Sequence, residues 1–562
     1  MYSDKKNILE LVALLHKFGV KHIVLSPGSR NAPLIHTFTH HPSFKCYTVV
    51  DERSAGYFAL GLIMKHQCPV AVCCTSGTAM LNYSSAVAEA FYQQLPLLVI
   101  SADRPQMWIG QNDGQTLPQP GAFGNLVHKS VQLPEVNSQE EAWYCNRLIN
   151  EALLCLTSDQ KGPVHINIQL GEPLYDFTVK ELPDVRKVVR RQAYNDFDIA
   201  DYSLAWNKSH KRIILVGQLL PGNNLGPLLK QLSLQSDVVI FAEHTANLDE
   251  TGACVTSSFD AILSMLGKVE SDQLTPDLLI TIGGHIVSKR VKNWLRKATP
   301  THNWHVAENG EFIDTFQSLT DIIPLAPRQF LKKLNKEVKH DSSKEYQEKW
   351  RGYEKRVRLI ADTYFKESPF SDMMAVDHVI KHIPQYISIH WGNSTPVRYG
   401  QLFDMPLGTK HFSNRGTSGI DGVVSTAIGY ATDNETITLL VIGDLSFFYD
   451  MNGLWNKHVN SQMRIVLMNN SGGGIFRVLG GPSNSDSMEN YIACSHQTTA
   501  KGWAETVGFE YRSATNFDEL DQELTTFFDP TASQPILLEV FTPADINPEV
   551  FRVFYGRLRG IN

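Results

Sequence analysis

The chain has 562 residues, more than one hydrophobic core can organise, so about two to four domains are expected. Its 51 basic and 58 acidic residues leave a net charge of only -7, which argues against a nucleic-acid or membrane partner and means that basic residues inside a site would address a small anion. Eight cysteines are scattered without paired metal-ligand spacing, no basic-then-apolar leader is visible, and no apolar run reaches the roughly 18 residues that cross a bilayer, so a reduced, cytoplasmic protein is expected.

Short β-branched runs bounded by Gly and Pro alternate with longer helical patterns, as in parallel α/β layers. The first third predicts strands at HIVLSPG, PVAVCCTSG, PLLVISADRP and VHINIQL, and a polar, basic stretch from Asp184 to Arg212 reads as a linker. RIILVGQ, DVVIFAEH and DLLITIGG predict a middle set of strands, after which the charged segment from Lys332 to Arg356 predicts a solvated helix joining two domains. YISIHWGNS, TLLVIGD, RIVLMNN and PILLEVF resume the pattern. The first and last thirds share a strand-turn-helix grammar, TSGTAMLNYSSAVAEA having the same logic as GDLSFFYDMNGLW. Three α/β units are expected, at 1–185, 186–350 and 351–562.

Two late strands end in oxygen donors, Gly443-Asp444 and, some two dozen residues on, Asn469-Asn470-Ser471-Gly472-Gly473-Gly474. A hard divalent cation takes one or two side-chain oxygens together with phosphates and water. Asp444 offers a carboxylate and Asn470 an amide oxygen, while the following glycines let a main-chain carbonyl turn inward and bring backbone close to phosphate. Either piece alone is an ordinary turn; the pair points to a magnesium diphosphate site. Earlier, Ser26-Pro27-Gly28-Ser29-Arg30 leads from a strand into a helix, so its amides and Arg30 could hold a carboxylate. Asp51-Glu52-Arg53 opens another helix, where acidic residues also serve simply to complement the helix dipole.

SPGSRNAPL, DERSAGYFALG, TSGTA, SADRP, GNSTPVR, SNRGTSGIDG, GDLSFFYDMNGL and NNSGGGIF, in this order and spacing across nearly the whole chain, resemble the thiamine-diphosphate-dependent enzymes. The likeness is to the branch that acts in menaquinone biosynthesis, whose form of the Gly-Asp-Gly motif carries Leu445 as its third residue. The resemblance implies an α/β fold of three domains with parallel sheets flanked by helices: pyrimidine-binding, middle and diphosphate-binding. It implies a homodimer or homotetramer whose active sites are shared between subunits. It further implies thiamine diphosphate with Mg2+ or Mn2+, the metal held by Asp444, Asn470 and the Gly472 carbonyl.

By the same resemblance Glu52 engages the cofactor's pyrimidine and assists loss of the thiazolium C2 proton through a hydrogen bond, with Thr78 beside it. Gly392, Asn393, Ser394, Gly443, Leu445 and Ser446 line the diphosphate or thiazolium, and Ile420 is the apolar wedge that bends the cofactor. The implied reaction is decarboxylation of 2-oxoglutarate followed by 1,4-addition of the succinyl carbanion to isochorismate. Two dicarboxylates need several fixed cations. The resemblance supplies Arg30, Arg104, Lys289, Arg290, Arg398 and Arg415, with Ser29, Gln115 and Ser394 as neutral partners and Ile475, Phe476 and Leu479 as an apolar wall. Gln115, Arg30 and Ser394 join Glu52 as catalytic candidates. Arg398 is assigned to the succinyl moiety, and Arg104 and Arg415 to the acceptor. The alternatives are another thiamine-diphosphate 2-oxoacid decarboxylase or an acetolactate synthase, although the segment Gly110 to Gln115 lacks the His-His pair common in such decarboxylases.

Overall fold

The computed structural model describes residues 1–190, 197–248, 255–478 and 485–560. Three six-stranded sheets follow one another along the chain, and every strand pair within them is parallel. Numbered within each sheet, the strands of the first and last run in the order 2-1-3-4-6-5, whereas the middle sheet runs 6-5-4-1-2-3. The grammar shared by the outer thirds of the sequence is therefore a shared topology.

All eleven expected strands are present, from His22–Leu25 to Ile536–Phe541. Seven more are visible only in the structure. Lys45–Thr48, Val255–Thr256, Asp321–Ile323, Lys410–Phe412 and Glu510–Ala514 lie at sheet edges, where Lys45–Thr48, for example, buries Tyr47 alone and so lacks the continuous apolar run of a strand covered on both faces. The others are Lys129–Leu133, also at an edge, and His302–Val306, whose two histidines and asparagine mask its buried position.

Two connecting segments differ from expectation. Within the expected linker, Ala200–Lys208 is a helix whose Trp206 is fully buried in the middle unit. Glu345–Glu367 is a 23-residue helix, but it is not merely solvated: Tyr346, Trp350, Val357 and Tyr364 lie in one core with Phe241 of the middle sheet and Val441 of the last. Of the cysteines, Cys73, Cys74 and Cys145 are buried as expected, whereas Cys494 is exposed; no disulfide joins the described ones.

The first and last sheets meet through two helices, Glu52–His66 and Val423–Ala431, whose apolar residues share a core with Val72, Leu440 and Leu467. The approach is close enough that a Cβ on Gly61 would strike the Thr426 carbonyl, and one on Gly429 the Phe58 carbonyl. Val423–Ala431 is anchored by the buried Asp450, whose carboxylate accepts the Ser425 amide at 2.7 Å and the Ser425 hydroxyl at 2.8 Å. Helix Glu52–His66 is anchored at its start, where Asp51 accepts the amides of Arg53 and Ser54 and a hydrogen bond from Asn452 of the last unit at 2.9 Å. The helix that carries Glu52 is thus fixed at both levels, by backbone caps and by packing.

Candidate active site

In an open parallel sheet, ligands sit outside the carboxyl ends of the strands where the strand order reverses. In the first and last sheets that point lies between strands one and three, and many of the candidate residues follow those strands or strand four. Ser29, Arg30 and Thr78 do so in the first sheet, Gly392, Asn393, Ser394, Asp444 and Asn470 in the last, whereas Glu52, Arg415 and Ile420 follow strand two.

On the first sheet, Glu52, Thr75, Thr78, Asn82, Gln115 and Thr116 line a cleft of about 420 Å3. Every residue lining it belongs to the first unit. Burial raises the Glu52 carboxyl above its ordinary range and the like charge of Asp51 adds to the rise, while its own backbone N–H opposes it. Gln115 adopts a positive φ of 57° and is exposed to the cleft. Beneath, the fully buried Gln119 accepts the Gly77 amide at 2.7 Å and donates to Ala102 O at 3.1 Å and Asn167 Oδ1 at 2.7 Å. No motif marks Gln119 in the sequence, yet it pins the turn that carries Thr78.

Arg30 and Arg104 are partly committed elsewhere. Arg30 is buried, donates to Leu170 O at 2.9 Å and stands 3.1 Å from Glu172. Arg104 donates from Nε to Gly114 O at 2.8 Å and lies 3.2 Å from Asp113, which ties it to the loop bearing Gln115. Ser29 is exposed.

On the last sheet the donors expected for a metal converge. Asp444 and Asn470 are both buried, and Asp444 Oδ2 accepts the Gly472 amide at 2.8 Å. Burial raises the Asp444 carboxyl, opposed by the amides of Gly472 and Leu445 and by nearby His496 and Arg477. Asn470 donates from Nδ2 to Asp372 at 2.6 Å, leaving its Oδ1 buried and without a hydrogen-bond partner among the described residues. A buried amide oxygen is left unpaired only at a loss of free energy unless something electropositive occupies the space beside it. Gly472 has φ 137°, and a Cβ there would meet Ala493 O at 2.6 Å. Carboxylate, amide oxygen and main-chain carbonyl are the donor types a magnesium-sized cation takes, so the residues fit such an ion.

Arg477, unnoticed in the sequence, reaches back with Nη1 to Asn470 O at 3.3 Å and is held by Glu489 at 2.8 Å. Ile475 and Phe476 follow on a short half-buried helix, Gly474–Val478; Leu479 lies outside the described residues. Ser446 donates to Ile420 O at 2.6 Å, which leaves the Ile420 side chain 40% exposed. Gly392 packs closely on Ile442, whose Cα a Cβ there would meet at 3.1 Å. The Asn393 side chain is fully engaged within the protein, donating to Asn414 O and Gly419 O and accepting from Arg415, so only its backbone remains for a ligand. Ser394, with φ 75°, starts the helix Thr395–Gly400.

The cations separate into two sets. Arg290 is taken up by the protein itself, 2.5 Å from Asp260 and stacked 4.1 Å above the Tyr555 ring, and Lys289 is exposed on the first turn of the same helix. Arg290 thus already has partners within the protein. Lys292, one turn further on, is half-buried: burial pushes its ammonium down, the guanidinium groups of Arg415, Arg296 and Arg398 add to the fall, and Glu243 opposes. Arg415 is itself depressed by burial, Glu243 opposing and Arg398 adding to the fall. The Nε atoms of Arg398 and Arg415 are both buried without a partner among the described residues. The signal for Lys292 in the sequence was the basic run Lys289, Arg290, Lys292 at the start of one helix, which names the cluster but not its inward member.

The model of the thiamine pyrophosphate enzymes' N-terminal TPP binding domain matches residues 10–122. Over the full length of both chains, this one is 48% identical to the 2-succinyl-5-enolpyruvyl-6-hydroxy-3-cyclohexene-1-carboxylate synthase of Bacteroides thetaiotaomicron. It is 46% identical, again over both full lengths, to the synthase of the same name from Phocaeicola vulgatus. The chain belongs to this family of synthases. A benzoylformate decarboxylase from Polynucleobacter necessarius shares the architecture, with a TM-score of 0.74 over 98% of this chain and 100% of that one; at 14% identity it speaks to the fold alone. Membership in the synthase family favours the expected activity over a simple 2-oxoacid decarboxylase or an acetolactate synthase. As expected, no helix among the described residues is long and apolar enough to cross a membrane.

Proposed function

We propose that this synthase binds thiamine diphosphate with Mg2+ or Mn2+, releases carbon dioxide from 2-oxoglutarate and joins the remaining four carbons to isochorismate by 1,4-addition. The product is 2-succinyl-5-enolpyruvyl-6-hydroxy-3-cyclohexene-1-carboxylate, in menaquinone biosynthesis. The observation that carries this reading is likeness to synthases of that name over the entire length of both chains.

Thiamine diphosphate, when bound, supplies the electron sink for decarboxylation. The protein's own groups do the rest. Asp444, the Asn470 amide oxygen and the Gly472 carbonyl hold the cation that neutralises the diphosphate. Glu52, raised toward protonation by burial, would hold a proton for the cofactor's pyrimidine, with Gln115 and Thr78 lining the same cleft. Arg398, Arg415 and Lys292 present three mutually coupled cations, offset by Glu243 and Glu89, an arrangement suited to carboxylate substrates. Arg104 serves the same purpose on the Glu52 side. Ile475 and Phe476 exclude water from the reacting carbon.

A second copy of the chain completes the site in this reading. The Glu52 cleft draws on the first unit alone, and large apolar side chains of the first and last units, among them Val50, Leu81, Ile420 and Trp455, stand 40 to 52% exposed. Incubation with 2-oxoglutarate and isochorismate, followed by mass spectrometry, tests the activity. Carbon dioxide release without a coupled product would replace it with a simple decarboxylase.

A further inference from the structure

Asn470 can present either face of its amide, and the choice decides whether an oxygen or an NH2 group meets a cation. Nothing in the Gly443 to Gly474 motif makes that choice. Asp372 does, from a remote part of the chain. It is buried in the first turn of helix Asp372–His382, and its Oδ2 accepts Asn470 Nδ2 at 2.6 Å. Its Oδ1 accepts the Thr542 hydroxyl. Thr542 Oγ1 in turn accepts Asn547 Nδ2 at 3.1 Å, and Asn547 Oδ1 accepts the Asp372 amide at 2.7 Å, closing a ring. Three elements therefore hold one carboxylate in place: the helix it opens, the end of strand Ile536–Phe541 and helix Ile546–Leu558.

An ionised carboxylate only accepts hydrogen bonds, whereas an amide offers a donating and an accepting face. Turning Asn470 over would set its oxygen against the Asp372 oxygen and remove the one bond that Nδ2 makes. We propose that Asp372, braced by Thr542 and Asn547, is a positioning residue that fixes the Asn470 amide with Oδ1 toward the cation site. This rests on the reading of Asp444 and Asn470 as metal donors. Outer carboxylates of this kind orient the group that binds the metal rather than touching the metal themselves.

The test measures Mg2+ affinity by calorimetry on the full-length protein in the presence of thiamine diphosphate, alongside the melting temperature of the metal- and cofactor-free protein. Asp372→Asn replaces an obligate acceptor with an amide that tolerates either orientation. It should weaken Mg2+ binding by about 10- to 100-fold and leave the melting temperature of the free protein close to wild type. The exchange variant Asp372→Asn with Asn470→Asp restores a donor behind and an oxygen in front, and should recover most of the affinity lost in Asp372→Asn. Unchanged affinity in Asp372→Asn, or no recovery in the exchange, overturns the proposal. Asp444→Ala is the control: if it also leaves Mg2+ binding intact, the metal site itself is misplaced, whereas loss there with none in Asp372→Asn removes the positioning role alone. Should Asp372→Asn fail to fold, Thr542→Val removes only the bracing hydroxyl; several-fold weaker binding supports the proposal and wild-type affinity overturns it.

Discussion

The two ends of the candidate site are built on sheets of the same strand order, yet they are opposite in character. The Glu52 end is an open cleft lined by one unit, its functional carboxyl half-exposed. The Asp444 end is closed, with both side-chain donors buried and one amide oxygen unsatisfied. A group that must gain and lose a proton works best where burial shifts it without removing it from water, whereas a cation is held best by donors rigidly placed before it arrives. The same topology thus supports a proton-handling surface and a binding socket, depending on how far the carboxylate is withdrawn from solvent.

The largest effect comes from separating the ends. Asp444→Ala should abolish Mg2+-dependent cofactor binding, and Glu52→Gln should leave binding largely intact, so each alone is nearly inactive for a different reason. Mixed after unfolding and refolding together, they should regain about a quarter of wild-type activity if each site takes Glu52 from one copy and Asp444 from the other, because half the dimers are hybrids and half their sites are intact. No recovery in a mixture shown to contain hybrids would mean that both ends serve one site within a single chain.

Next in size, Glu52→Gln should lower turnover by about a hundred- to ten-thousand-fold, the scale of losing a positioned proton-transfer group. Exchange of the cofactor's C2 proton with deuterium should slow in parallel. Normal exchange would make the open end a binding surface only and erase the contrast with the Asp444 end.

How far these features could be read from the sequence follows from what is local. Strands buried on both faces are continuous apolar runs, so TLLVIG and RIVLM were plain, whereas KCYT at an edge was not. Asp444 and Asn470 stand at fixed places after such strands and were legible for that reason. Asp372 and Gln119 act through partners distant in sequence, and no local pattern distinguishes them from ordinary polar residues. The partners of Arg290, Asp260 and Tyr555, come from elsewhere in the chain, and the coupling of Lys292 to Arg415 and Arg398 is likewise a tertiary fact.

Lys292 gives the third test. If the middle unit contributes a cation to the closed end, Lys292→Met should raise the KM for a carboxylate substrate by about 10- to 100-fold, the value of a charge-assisted hydrogen bond. Lys289→Met, on the exposed side, should change little. Equal effects would return the role to the residue originally expected.

The smallest effect concerns what lies beneath the two ends. His165, under the cleft, is bonded to Ser101 at 2.7 Å, and His390 precedes Gly392 and stacks on Phe412. Burial pushes both imidazoles down to about 3, so the folded protein keeps them neutral where the unfolded chain, with an ordinary value near 6.5, takes up protons. Their contribution to stability is therefore full above pH 6.5 and lost as pH falls toward 3, by about 1.4 kcal/mol for each at pH 5.5. Asp450 works in the opposite direction, since burial raises it to about 7 and the folded state then binds its proton first. The net pH profile mixes these, but differences between variants isolate each histidine. His390→Phe keeps the stacking and removes the titration, so between pH 7 and 5.5 it should lose about 1.2 kcal/mol less stability than wild type, measured by urea unfolding. His165→Gln should behave alike if the two ends rest on equivalent supports. A profile unchanged by His390→Phe but flattened by His165→Gln would show that only the open end stands on a neutral imidazole, and would extend the asymmetry of the two ends down into their cores.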